Sequence, residues 1–424
     1  MKLDSNISLE DFYQKPSRAN RVVDNCNGKA SLTHYLHHSN NDMSEAYRPS
    51  AIDYVQSILA DKFPSKSVSY EVAESALQYH LPDLIHDVPF PEPENPIFKF
   101  IDLFAGIGGF RVAMQNLGGA CVFSSEWDKY SQKTYEANFG EIPFGDITKK
   151  ETKAYIPHGF DVLCAGFPCQ AFSIAGKRGG FEDTRGTLFF DVAEIINKHQ
   201  PKAFMLENVK GLSSHDKGRT LATILNVLRT DLNYYVPDPK VMNAKNFGVP
   251  QNRERIFIVG FRKDLGVNTF EYPEPLTKQP TIADILEEQE VSVKYYLSNQ
   301  YLNTLIAHRA RHESKGNGFG YEIVAHNDVA NAVVCGGMGR ERNLIYDHRL
   351  TNFVPVTHIK GEVNREGIRK MTPREWARLQ GFPDKFKIVV ADAQAYRQFG
   401  NSVAVPAIQA TAEKIIERLG SSWL

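Results

Sequence analysis

From Phe98 onward, short apolar runs alternate with amphipathic stretches. Phe98–Phe104 reads as a buried strand, Gly109–Leu117 as a helix, Ala120–Ser125 as a strand, Lys129–Phe139 as a helix and Phe160–Ala165 as a strand. Thr187–His199 then reads as a helix and Ala203–Glu207 as a strand. This alternation predicts an α/β fold built on a doubly wound, mostly parallel sheet. Ligands of such sheets sit beyond the carboxyl ends of the strands, so the residues just after each strand are where chemistry is expected. Between Arg262 and Arg369 the alternation fades into a region of Gly, Asn and Arg, read as a second domain, and Val403–Leu419 supplies a closing amphipathic helix. Ahead of Phe98, Ser50–Phe63 and Ser69–Leu81 carry weak helical periodicity, and Ser39-Asn40-Asn41-Asp42 reads as loop.

Charge changes this picture at one place. The net charge of −1 over 424 residues argues against a nucleic-acid partner until the chain is divided at the proline-spaced connector Pro91–Pro96. Residues 1–96 hold 8 Lys/Arg against 14 Asp/Glu, a balance of −6, and the remainder holds 41 against 36, a balance of +5. The larger part is modestly basic, which is compatible with DNA binding through local patches without demonstrating it. The five cysteines show no CxxC spacing, so neither a disulfide framework nor a zinc site is suggested, and no metal site is expected. No apolar stretch approaches a membrane span and the first residues lack the order of a secretion signal, so a cytoplasmic location with no membrane partner is expected.

Three strand ends carry candidate chemistry. Asp102-Leu103-Phe104-Ala105-Gly106-Ile107-Gly108-Gly109 closes the first strand with glycines where a helix must begin, offering free amides and close approach to a ligand; tight turns without a ligand share the pattern. The second strand ends in Glu126-Trp127, a carboxylate suited to ribose hydroxyls and an indole suited to stacking on adenine; a solvated acid and a core-edge Trp are the plain alternatives. Asp146-Ile147 offers an acceptor for the adenine amino group beside an apolar cover. Together they describe a cofactor that contains adenosine, and the lack of GxxxxGK[ST] favours one without a triphosphate.

The segment Gly166-Phe167-Pro168-Cys169-Gln170-Ala171-Phe172-Ser173 comes directly after the strand Phe160–Ala165 and resembles the catalytic loop of the DNA (cytosine-5)-methyltransferases. Glu207-Asn208-Val209, Gln251-Asn252-Arg253-Glu254-Arg255, Arg369–Pro383 and Gln398-Phe399-Gly400-Asn401-Ser402-Val403 resemble further motifs of that family in the same order, from about Phe98 to the C-terminus. The resemblance implies a methyltransferase with a Rossmann-like sheet that uses S-adenosylmethionine, acts on double-stranded DNA as a monomer, and shares its site with a cognate restriction endonuclease. It also implies a target-recognition domain inserted into a discontinuous catalytic one. The chain then divides into 1–96, an acidic accessory segment without an assigned role; 97–262, catalytic and cofactor-binding; 263–368, target recognition; and 369–424, the return to the catalytic domain.

Carbon 5 of cytosine is a poor nucleophile in an intact ring, so a thiolate must first add at carbon 6, and the resemblance makes Cys169 that nucleophile. Glu207 is placed to protonate or hydrogen-bond ring nitrogen 3, provided burial raises its pKa. By resemblance Arg255 contacts the flipped base and Arg253 its neighbouring phosphate. Gly166 and Pro168, with Leu188 after the loop, join the cofactor set, and Asn401 completes that pocket, with Gly400 allowing the tight approach. An isolated Cys after a strand is more often a small buried hydrophobe, and Cys164, Cys121 and Cys26 read that way.

A duplex hides carbon 6, so the nucleotide must rotate out of the stack. The stretch 169–186 suits a loop that closes over phosphates with Lys177, Arg178 and Arg185, and Gln170 and Ser173 fall with them on the DNA side. In the recognition domain, Lys315–Tyr321 and Cys335–Asn343 read as recognition loops, with ordinary tight turns as the alternative. Arg340 and Arg342 are able to pair with guanine or to hold phosphate. Two rivals remain: a tRNA-methylating branch of the family, which typically shows Pro-Pro-Cys and a reduced insert where Phe167 precedes Pro168 here, and a non-enzymatic DNA-binding regulator.

Overall fold

The computed structural model describes residues 26–37, 44–64, 67–84, 88–168, 188–318, 320–336, 340–354 and 361–420. Strands β1 (Phe98–Leu103), β2 (Gly119–Ser125), β3 (Val162–Gly166) and β4 (Ala203–Val209) lie parallel in the order β2-β1-β3-β4. Four further strands come next in the chain, β5 (Tyr234–Tyr235), β6 (Lys240–Asn243), β7 (Gln251–Asn252) and β8 (Glu254–Arg262). β8 lies antiparallel to β4 and takes β5 and β6 on its other edge, completing a seven-stranded sheet. The chain steps from β1 outward to β2 and then back across to β3, which opens a crevice at the carboxyl ends of β1 and β3.

The strands are apolar throughout because both faces are covered. Alternate side chains enter opposite cores: Phe100, Cys121, Cys164 and Met205 on one face, Ile101, Val122, Leu163 and Phe204 on the other. Helices α1 (Cys26–His37), α2 (Ser44–Lys62) and α3 (Tyr70–Leu84) precede the sheet; α4 (Gly109–Asn116) and α5 (Lys129–Phe139) connect its first strands; α6 (Leu188–His199) and α7 (Arg219–Asn226) come after β3 and β4 respectively. The limits of α5 match the periodicity because the Asp128 side chain accepts from the Ser131 amide and Gly140 closes the helix at φ 78°. β4 runs two residues past Glu207, since its pairing with β8 continues to Val209 opposite Arg255. α2 begins at Ser44, six residues ahead of the expected start, and passes through Pro49 at the loss of one backbone hydrogen bond.

The connector 91–96 marks a change of charge without ending the core. Ala30, Leu36, Tyr47, Ala51 and Val55 belong to the same buried cluster as Ile101, Val122 and Leu163. Tyr47 donates its hydroxyl to the Val122 carbonyl inside β2. Beneath α1, the fully buried Arg111 and Glu141 form a two-pronged ion pair at 2.6 and 2.8 Å, with His34 Nε2 3.4 Å from the same carboxylate.

The 263–368 region carries α8 (Asn299–Glu313), β9 (Ala330–Asn331), β10 (Leu344–Tyr346) and β11 (Ile368–Lys370), with β10 and β11 antiparallel. Its apolar clusters are small, one around Val291, Val293, Tyr296 and Leu350, the other around Leu302, Leu305 and Leu344. β9 pairs parallel with β7, and buried Arg369 bonds both Asp347 and Glu375, tying this region to the C-terminal helices. The chain returns through α9 (Pro373–Leu379), α10 (Asp392–Asn401) and α11 (Val405–Leu419). Thr372 and Glu375 form the capping box that opens α9 with Pro373 in its first turn.

Candidate active site

The carboxyl ends of β1 to β4 and the last turn of α10 surround a cavity of about 720 Å³. Of the expected cofactor residues, Phe104, Gly106, Glu126, Trp127, Asp146, Ile147, Gly166, Pro168, Leu188 and Asn401 line it. Asp102, Gly108 and Gly109 do not, for a packing reason. A Cβ on Gly108, at φ 86°, would stand 2.3 Å from the Phe139 ring, and one on Gly109 would stand 2.7 Å from Val403. Those two glycines let α4 sit against α5 and the α10–α11 junction. Asp102 lies fully buried below the turn with neither carboxylate oxygen given a side-chain hydrogen bond among the described residues; burial pushes its pKa up to about 8, opposed by the charge of Arg111. Phe104 takes φ 57° without being glycine, and Gly106 has φ 56°, so the turn at the cavity edge is strained.

The turn is held from the β2 end. Glu126 accepts from the Gly106 amide through Oε2 and from the Asp128 amide through Oε1, both at 2.8 Å, so the Gly106 amide is engaged by protein and the expected amide cradle is partly filled. Burial raises the pKa of Glu126, and these two amide bonds oppose the rise. Trp127 is 77% exposed at the rim, which disposes of the core-edge alternative. Asp146 accepts from the Thr148 amide and hydroxyl through Oδ1. The motif reading missed Gln398 as an individual lining residue. Its Oε1 accepts from Thr134, while its buried Nε2 has no partner among the described residues. Its signal was its place three residues before Asn401.

At the β4 end, Glu207 is buried and its Oε1 lies 3.0 Å from Arg255 Nε. Burial raises its pKa, and Arg255 and then Arg253 oppose the rise. A Cβ on Gly166 would be 3.8 Å from Glu207 Oε2, so the carboxylate faces the end of β3 three residues before Cys169. Asn208 donates to the Phe167 carbonyl at 2.8 Å and anchors the start of that loop. Cys169, Gln170, Ser173, Lys177, Arg178 and Arg185 lie outside the described residues. Cys121 and Cys164 are buried, and burial drives both thiols upward, which suits the structural role expected of them.

Arg253 also lines the cavity, with its guanidinium engaged by protein. Its buried guanidinium donates to the carbonyls of Val333 (2.9 Å), Gly400 (3.3 Å) and Ser402 (2.7 Å), and burial pushes its pKa down to about 9. It acts here as a clamp between the recognition region and α10. Gly400 lines the cavity too, and a Cβ there would meet the Cys335 amide at 2.6 Å, so its lack of a side chain also lets that backbone approach. Cys335 in turn donates to Asn401 Oδ1 at 2.7 Å. Arg340 and Arg342 are exposed on the recognition region, Arg340 over the Tyr396 ring at 5.4 Å. Tyr321 folds back under Arg309 of α8 at 5.6 Å. Among the described residues there is no group of three or more His, Cys, Asp or Glu able to hold a metal ion, and no helix long and apolar enough to cross a membrane.

Comparison with known proteins places this arrangement. The family model described as C-5 cytosine-specific DNA methylase matches residues 98–417. The type II methyltransferase M.HpaII of Haemophilus parainfluenzae is 72% identical over 354 residues, covering 82% of this chain and 97% of that protein. M.HhaI of Haemophilus parahaemolyticus is 42% identical over 325 residues, covering 75% of this chain and 94% of its own. Among solved structures, the S. pombe Dnmt2 methyltransferase superposes with a TM-score of 0.57 at 19% identity, over 76% of this chain and 99% of that one, a likeness of fold.

Proposed function

Since the chain belongs to the C-5 cytosine-specific DNA methylase family and is a DNA (cytosine-5)-methyltransferase, we propose that it methylates a flipped-out cytosine in a specific sequence of double-stranded DNA through a covalent adduct with Cys169. The observation that carries this reading is Glu207: a buried carboxylate, paired with Arg255, facing the strand end that leads into Cys169 and sharing one cavity with Glu126, Trp127 and Asp146.

The residues fit S-adenosylmethionine. The cavity is of the size small-molecule sites have, roughly 300–1,000 Å³; it offers carboxylates for hydroxyl and amino groups and an exposed indole for a purine. When bound, the cofactor supplies the methyl group that carbon 5 of the cytosine accepts. The Cys169 thiolate adds its electron pair at carbon 6, and Glu207 hydrogen-bonds or protonates nitrogen 3 so that the ring holds the added charge. Arg255 steadies Glu207 and adds positive potential where that charge develops. After methyl transfer a proton leaves carbon 5, and the electron pair of that C–H bond expels the thiolate from carbon 6. The names of the relatives, type II methyltransferases, extend the reading to the modification half of a restriction-modification system; that the chain acts as a monomer in the cytoplasm is part of the same proposal.

Radiolabelled S-adenosylmethionine, given with unmethylated duplex DNA or with tRNA, tests the proposal. Label recovered from DNA as 5-methylcytosine and lost in Cys169→Ser is the expected result; label in tRNA alone overturns the substrate, and undiminished transfer by Cys169→Ser overturns the adduct.

A further inference from the structure

The front helices lie ahead of the residues that the family model matches, yet α1 reaches the wall of the cofactor cavity. After α5 the segment Glu141–Thr148 returns to the sheet, where Phe144 donates its amide to the Ser124 carbonyl and accepts from the Glu126 amide, each at 2.8 Å. The next three residues, Gly145, Asp146 and Ile147, line the cavity. Its other side is held by side chains of α1 and α2. The Ile142 amide donates to Thr33 Oγ1 and the Gly145 amide to Asn27 Oδ1, both at 3.0 Å. Asn27 Nδ2 reaches on to Thr152 Oγ1 at 3.3 Å. The Phe144 ring packs against His34 at 4.8 Å and Tyr47 at 5.7 Å.

We propose that Asn27 is a positioning residue for cofactor binding, which sets the Asp146–Ile147 wall of the cavity through its bond to the Gly145 amide. The inference rests on the reading of the cavity as the S-adenosylmethionine site. Asp146 is one peptide unit beyond the bonded amide, so losing the bond leaves a half-buried donor that must find water or move, and the adenine-facing carboxylate moves with it. The segment 1–96, to which the sequence assigns no role, thereby becomes part of the cofactor site.

The test uses the full chain and S-adenosylhomocysteine as probe, titrated calorimetrically, beside steady-state kinetics and thermal melting. Asn27→Ala is expected to weaken binding of the probe and raise KM for S-adenosylmethionine about tenfold, the size of one lost hydrogen bond with its amide left bare. kcat and KM for DNA stay within about twofold. Asn27→Asp keeps the acceptor for Gly145 at a helix start that favours a negative charge, and restores most of the affinity. Lys29→Ala, which removes the neighbouring contact to Glu136 on the same helix, leaves all values unchanged. Wild-type affinity in Asn27→Ala overturns the proposal, as does a fall of melting temperature and kcat in step with affinity, which marks a general structural contact. A wild-type chain that fails to bind the probe overturns the reading of the cavity, and with it this proposal.

Discussion

Two buried acids with raised pKa values behave differently because their surroundings differ. Glu207 has Arg255 at 3.0 Å and lies on the cavity wall, so its carboxyl is available to a ligand. Glu207→Gln keeps the shape and removes the transferable proton; kcat is expected to fall on the order of 10²- to 10⁴-fold with binding of S-adenosylhomocysteine retained, measured by single-turnover methylation and calorimetry. Asp102 lies fully buried with no ion-pair partner in contact among the described residues and a pKa of about 8, against about 3.9 for a free side chain. The native state therefore holds a proton that the unfolded chain has released. Its contribution to stability is full below about pH 4 and is lost as pH rises through about 8. Asp102→Asn is expected to flatten the decline of melting temperature between about pH 4 and 8, and an unchanged slope would show that Asp102 does not hold that proton.

At the level of elements, the site depends on turns whose glycines serve packing as much as ligand approach. Gly108 sits at φ 86° with the Phe139 ring 2.3 Å from where a Cβ would be. Gly108→Ala adds backbone strain to overpacking and is expected to cost about 2–4 kcal/mol of stability in urea denaturation. Alanine at Gly106, where nothing lies within 4 Å of the added Cβ, carries the strain of φ 56° alone and should cost less. Equal losses at the two positions would remove the packing argument. The limits of α5 were legible because the residues that cap it, Asp128 and Gly140, lie beside it in the chain. The partners of Gly108 and Gly109 were not, because Phe139 and Val403 come from other elements.

Over the whole molecule, a chain of net charge −1 binds a polyanion only if charge is segregated, and the balance of −6 before the connector and +5 after it provides that. DNA binding by the full chain is expected to weaken steeply with salt, with a log–log slope near −0.9 for each phosphate neutralised, measured by fluorescence anisotropy from about 50 to 200 mM salt. A flat dependence would mean that phosphate contacts do not carry the affinity. Arg340→Ala separates the two readings of that residue: phosphate contact lowers the slope by about one for every sequence, and guanine contact relaxes specificity at one base pair with the slope retained.

The sequence by itself determined the α/β alternation, the order of the strand-end motifs and the chemical types gathered there, because hydrophobic period, caps and reactive groups are local properties. Lys129–Phe139 was readable for that reason. Only the tertiary structure decided which motif residues face the cavity. It sent Asp102, Gly108 and Gly109 into packing, engaged the guanidinium of the cavity-lining Arg253 with three carbonyls, and laid the acidic front helices on the sheet that they seemed only to precede. Each of these outcomes depends on a neighbour far away along the chain, and a pattern of residue types carries no record of which distant neighbour will arrive.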